Sequence, residues 1–225
     1  MPRSPRRPPL SHERIVTQAL EIVDTQGLDA LSMRGLAKAL SVEPMSLYHW
    51  FPSRDHLLDA LLDNFLSLVQ VPQSGPFARR LRQASRAFRV ASQTHPGLVP
   101  YVVVHRFNTR VALQLLNELL GIVSLLHCDP WARAAAFRLY IHWLIGFCLD
   151  EAVGFSKGPS AQAPPSDEEI AVNFVRVAEL GPYNRPAHFD ALFEQGLSAI
   201  IWSMRKVRAH DHPTHSRNEA KNEQK

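Results

Sequence analysis

Residues 31–51 read LSMRGLAKALSVEPMSLYHWF, and the fold turns on how this stretch is parsed. Ser32 stands where a side-chain oxygen can cap a helix N-terminus. Met33, Leu36, Ala37 and Leu40 follow at helical spacing, one apolar stripe over two turns. "SVE" interrupts the pattern. Pro44 then occupies a first-turn position, where its missing N–H costs nothing. A second, very short helix is predicted from Pro44 to Phe51, and the "PSR" that follows breaks it, since a residue before proline avoids helical geometry. Helices this short do not persist alone. Two of them joined by a three-to-four-residue turn make the helix-turn-helix arrangement. In that geometry Leu47 and Phe51 face the core with Val42, leaving Met45, Ser46 and His49 on the outer face. A short helix with small and polar outer residues suits a DNA major groove. A plain aromatic core patch is the competing account of Leu-Tyr-His-Trp-Phe, and for Leu47 and Phe51 it is the better one.

Working outward, Ser11 caps a helix to about Gln26, with Ile15, Ala19, Ile22 and Val23 on one face and Gly27 at the left-handed stop. Ser53 caps a fourth helix lined by Leu57, Leu58, Leu61, Leu62, Phe65, Leu66 and Val69. "VPQSGP" (71–76) reads as a hinge. Next, "FARRLRQASRAFRVA" carries Leu81, Ala84, Phe88 and Ala91 on one face. Arg79, Arg82, Arg86 and Arg89 lie on the other, which reads as a solvated face rather than a row of phosphate contacts. "HPGLVPYVV" is a connector with a short helix. Two long helices are predicted over 106–127 and 130–153, and the second is apolar around most of its girth, so it needs cover on several sides. Residues 156–169 read as a mobile loop, followed by helices at about 168–180 and 187–206. The organisation is a flexible basic arm (1–10), a helix-turn-helix unit (11–66), a second helical unit (67–208) and a disordered tail (209–225).

Composition agrees. The 225 residues include 45% apolar side chains and only 10 glycines, which predicts an all-α globular fold. Cys128 and Cys148 lack metal or redox spacing, and buried structural roles in a reducing cytoplasm are expected. The longest apolar run without an acid, Lys or Arg is 11 residues (139–149), against about 20 for a spanning helix, so no membrane role is expected. Net charge is +4, yet residues 1–64 hold seven basic and eight acidic side chains, while residues 205–225 hold six and three. A global basic field therefore does not argue for nucleic acid, and the local constellation must.

With residues 32–62 laid out, "LSMRGLAKALSVEPMSLYHWFPSRDHLLDALL" resembles the DNA-binding domain of the tetracycline-repressor (TetR) family, over about residues 11–66. The resemblance implies an N-terminal three-helix helix-turn-helix domain with a C-terminal helical ligand-binding and dimerisation domain. It further implies a homodimeric regulator, usually a repressor, of a double-stranded DNA operator, released by a small-molecule effector. Carried over by position, Ser32 and Arg34 would lie at phosphates, and Pro44, Met45, Ser46 and His49 at base edges. Tyr48 and Arg54 would meet phosphates. Three positions depart from the pattern: Ser41 stands where glycine is usual and is expected to be strained if its φ is positive, Glu43 replaces a Ser/Thr cap, and Trp50 replaces His or Tyr. The implied effector pocket is mostly apolar, walled by Phe65, His105, Asn108, Arg138, His142, Trp143 and Phe147. The implied dimer interface is helices 130–153 and 187–206, with Ile201 in it. No cofactor or metal is expected, for no His/Asp/Glu cluster has convincing metal spacing. No Gly-rich phosphate loop or nucleophile motif supports the rival of an all-α enzyme. A second rival, a helix-turn-helix used only for protein contacts, would show no salt-dependent DNA binding.

Overall fold

The computed structural model describes residues 9–105, 107–126, 129–154, 161–183 and 185–208. The expected arm and tail, and Cys128, fall almost wholly or wholly outside these. Among the described residues there are eleven α-helices and no strand. The first four are α1 (His12–Gln26), α2 (Met33–Leu40), α3 (Pro44–Tyr48) and α4 (Arg54–Ser67). Ser11, Ser32 and Ser53 cap α1, α2 and α4, each accepting a hydrogen bond from a backbone N–H three residues on. Gly27 closes α1 at φ 85°, a conformation that costs little without a Cβ.

The remaining helices are α5 (Phe77–Thr94), α6 (Val99–Val104), α7 (Arg110–Val123), α8 (Pro130–Val153), α9 (Asp167–Asn173), α10 (Val175–Leu180) and α11 (Phe189–Met204). Two expected helices are corrected. The one placed at 106–127 begins at Arg110, because Thr109 takes an extended conformation and caps it by accepting from Ala112 N–H. The one placed at 168–180 is two short helices, broken at Phe174 (φ −132°, ψ 52°), and none of its residues is buried.

One apolar core runs through the first four helices and on into α5, α7, α8 and α11. Ile15, Leu36, Leu47, Leu57, Leu61 and Phe65 have no exposed surface, and truncating a leucine of this kind to alanine costs about 2–5 kcal/mol. Phe65 stacks edge-on to Phe88, centroids 5.5 Å apart, and so joins α4 to α5.

The arginine face of α5 is solvated only in part: Arg79 and Arg86 are exposed, Arg82 is half-buried and Arg89 is largely covered, and the last three also hold partners on other helices. Arg86 makes a two-pronged pair with Glu194 (2.7 and 2.8 Å), and Arg82 reaches Ser198. Arg89 bonds both Glu151 and Asp190 while its guanidinium lies 4.8 Å from the Phe193 ring centroid. These contacts clamp α5 to α8 and α11. The hydrogen bond from Arg86 holds the Glu194 carboxyl below its ordinary range, and the bond to Glu151 raises the Arg89 pKa against the opposing effect of burial. Such forked pairs are geometrically specific as well as attractive.

Candidate nucleic-acid interface and helical-domain cavity

The turn between α2 and α3 is closed by Ser41, at φ 55° and ψ 49°. It is the sole non-glycine residue with positive φ among those described. The expectation of strain there holds, because a Cβ in the left-handed region crowds its own backbone. Its N–H bonds the Lys38 carbonyl, and Val42 N–H bonds Ala37, so the turn answers the orphan carbonyls at the end of α2. The chain bends at Val42, Glu43 is extended (φ −71°, ψ 140°), and Pro44 starts α3.

Helix α3 stops at Tyr48 rather than Phe51. The Leu47 carbonyl accepts from both Trp50 and Phe51 N–H, each at 2.9 Å, and turns the chain sharply. Leu47 (0% exposed) and Phe51 (3%) point inward, with the Phe51 ring 4.8 Å from His12. Outward stand Met45 (67%), Tyr48 (41%) and Trp50 (44%), together with His49. Ser32 and Arg34 are exposed on α2, and Pro44 and Ser46 are half-buried on α3. Six residues thus divide between two anchors and an exposed apolar-polar surface. Large apolar side chains clustered outward serve binding rather than folding.

Arg54 departs from the outward cation expected of it. Its Nε and Nη2 donate to the carbonyls of Leu31 and Leu28, at 3.0 and 3.2 Å. The side chain is half-buried, and in this structure it is a strut between α4 and the chain entering α2.

Beside the apolar core that crosses the junction, the first four helices meet the rest through a polar seam that sequence reading missed. His95 Nδ1 lies 2.7 Å from Asp24, and His105 Nε2 lies 2.9 Å from Asp59. Thr109 donates to Asp63. Between these, Gly97 packs directly on the backbone of Val23. Asp55, Asp59 and Asp63 recur every fourth residue, which was the available signal that α4 has one polar edge.

The implied pocket residues do not come together. His105 serves the seam and stacks on Tyr101. Arg138, His142 and Asn108 are exposed. Trp143 lies against Gly196 and, with Phe147, forms an aromatic cluster with Phe193 between α8 and α11. Phe65 is core. The enclosed cavity lies elsewhere, among α4, α5, α7 and α8. It has a volume of about 40 Å³ and is lined almost wholly by apolar atoms, including Leu66, Phe88, Phe107, Leu119 and Tyr140. The buried Tyr140 hydroxyl bonds Ser85 at 3.0 Å. Ser85 already donates to Leu81, so Tyr140 is the donor, and burial pushes its phenol pKa well above the ordinary value. Cys148 is buried nearby on α8, its thiol pushed up to about 12 by desolvation, which suits an inert core residue. Among the described residues no His/Cys/Asp/Glu group is arranged to hold a metal, and no helix is long and apolar enough to cross a membrane.

A buried-anchor, exposed-tip α3 behind a capped α2 defines a helix-turn-helix DNA-binding protein with a second, cavity-bearing helical domain. Comparison with known proteins narrows this. The family described as bacterial regulatory proteins, tetR family, matches residues 15–61. The repressor DrrR1 of Streptomyces coeruleorubidus is 41% identical over 70 residues, which are 31% of this chain and 24% of that protein. An HTH-type transcriptional repressor of Mycobacterium tuberculosis is 30% identical over 210 residues, covering 87% of this chain and 80% of the relative. Among solved structures, the Streptomyces coelicolor TetR-family protein ActR in complex with actinorhodin is 27% identical with a TM-score of 0.69, covering 88% and 97% of the two chains. The chain belongs to the TetR family of DNA-binding transcriptional regulators.

Proposed function

We propose that the protein is a homodimeric, cytoplasmic repressor that leaves a pseudo-palindromic operator when a small, mostly apolar effector enters its helical domain. The observation that carries the DNA half is the division of α3, with Leu47 and Phe51 locked in the core and Met45, Tyr48 and His49 held outward. Residues 11–66 form the reading unit and 67–208 the effector and dimerisation unit. Pro44, Met45, Ser46 and His49 read base edges. Ser32, Arg34 and Tyr48 meet phosphates, with Arg54 beside them. Phosphate contacts set position and base contacts specify.

Two observations support pairing of subunits. Helix α8 leaves Trp131, Arg138, Leu139 and His142 exposed, and α11 leaves Leu192, Ala199 and Trp202 exposed, on faces turned from the core. A second copy would bury them in a four-helix arrangement. Arg138 and His142 are thereby reassigned from effector contacts to the subunit interface. Ile201, only 4% exposed, belongs to the subunit core instead. Two α3 helices in one dimer would enter successive major grooves about 34–36 Å apart. For the effector half, ActR holds actinorhodin in a like fold, and here an apolar cavity lies between α4 and the helical domain. An effector acts through its differential affinity for the two arrangements.

The test is capture of genomic fragments by the purified protein, then titration of the preferred fragment against random DNA at several salt concentrations. A preferred fragment, a steep salt dependence, and loss of about 1–3 kcal/mol of discrimination in His49→Ala are expected. Equal losses on both DNAs would remove His49 from base reading, and binding without preference at any salt would end the proposal.

A further inference from the structure

The enclosed cavity has an open neighbour. A cleft of about 440 Å³ lies between the end of α4 and α7 and shares Leu66, Val69 and Leu115 with the closed compartment. The two compartments differ in chemistry. The closed one offers a ligand carbon contacts and a single hydroxyl, Tyr140, whose proton is committed to Ser85. The open one adds Gln70, Gln73, Arg110, Gln114 and Glu118 to its lining. Gln70 and Gln73 each donate one amide N–H, to the carbonyls of Ser67 and Val71, and Gln114 donates to Glu118. Arg110 is exposed, and among the described residues it forms no ion pair with a carboxylate. It is the one cation among the described residues lining the cleft, and the one carboxylate there, Glu118, already accepts from Gln114.

Resting on the reading of this cavity as the effector site, we propose that the effector is a slim amphipath with an oxyanion head. A ring edge or chain end enters the closed compartment past Leu66, Val69 and Leu115, and the head stays in the open cleft at Arg110. A wholly apolar ligand would strip water from the arginine and glutamines and give nothing back, which is costly. A wholly polar one would find no partner inside. The closed compartment, at about 40 Å³, takes only the tip of a ligand, and Leu66 and Val69 at its wall must shift to admit it, whereas the open cleft lies in the range of ordinary small-molecule sites, roughly 300–1,000 Å³.

The experiment uses the full chain and two fluorescent probes that share one ring system. These are 8-anilinonaphthalene-1-sulfonate and its neutral parent, N-phenyl-1-naphthylamine. Saturable binding of both is expected, abolished by Leu119→Trp, which fills the closed compartment. Leu116→Trp, on a less buried part of the same wall, replaces it if that variant does not fold. The sulfonate should bind about tenfold more tightly (~1.4 kcal/mol), and Arg110→Gln should erase that advantage while leaving the neutral probe unchanged. Binding that ignores the filling substitutions would overturn the cavity as effector site. Cavity-dependent binding with equal affinities, or a sulfonate preference that survives Arg110→Gln, would leave the cavity standing and overturn the amphipath.

Discussion

Gly97→Ala tests the joint between the reading unit and the helical domain. Gly97 sits in the turn Pro96–Leu98, and a Cβ built on it would lie 2.3 Å from the Val23 carbonyl oxygen, 2.8 Å from Val23 C and 3.1 Å from Asp24 Cα. All three atoms are backbone of α1, so no side chain can swing aside. Ordinary carbon contacts begin at about 3.5 Å, so α1 and the turn must separate by about 1 Å. Overpacking of this kind costs about 1–3 kcal/mol. For a chain of this size each kcal/mol lowers Tm by roughly 2–4 °C, so a fall of about 2–12 °C is expected. The same movement lengthens the 2.7 Å His95–Asp24 contact next door. Operator affinity should therefore drop even well below the melting temperature, because α1 no longer holds its angle to the helical domain. Gly121→Ala is the control. Its Cβ meets nothing within 4 Å inside α7, and the substitution should stabilise by up to about 1 kcal/mol through helix propensity. Calorimetric melting of the three proteins decides the matter. A Gly97→Ala protein that melts with the parent would show that the interdomain backbone contact is not tight.

Ser41→Gly should stabilise by about 1 kcal/mol, read by urea unfolding, because it removes a Cβ from a left-handed turn; a loss of stability would refute the strain. Trp202→Glu should give monomers in sedimentation while retaining helical circular dichroism, and a surviving dimer would place the interface elsewhere. Arg54→Ala should lower both the melting temperature and operator affinity, since the side chain braces Leu28 and Leu31; lost affinity with unchanged stability would make it a phosphate contact alone. Glu194 has a folded pKa lowered chiefly by its bond to Arg86. Its contribution is therefore present in full above the unfolded carboxyl value and lost as pH falls through the lower folded one. The melting gap between parent and Glu194→Gln should narrow from pH 7 to pH 3, and a constant gap would refute the linkage.

The reading unit was legible because its signals are local. Serine caps, a proline at the first turn of α3 and i, i+4 leucines act within a few residues, and the strain at Ser41 was signalled by the glycine usual at that place in the resembled family. The cavity was not legible. Helix α8 is apolar almost all round, so its periodicity carries no phase, and nothing local says that Tyr140 and Leu144 face inward while Arg138 and His142 face out. The ion pairs of Arg86 and Arg89 were not legible because their acidic partners lie 62 to 108 residues away. The seam escaped for the same reason, with His95 and Asp24 separated by 71 positions.

That seam sets the energetic character of any motion across it. Where two bodies are joined by an oily surface, tilting one exposes hydrocarbon, and the joint tends to stay shut or open altogether. Here imidazole, hydroxyl and carboxylate groups join the two parts at three places beside the apolar contacts, and water can stand in for each polar pair as it parts. A small rotation of the reading unit then exchanges one set of hydrogen bonds for another of similar strength. The carbon contacts beside the seam, Phe65 on Phe88 and Gly97 on the Val23 backbone, are what such a rotation would have to preserve.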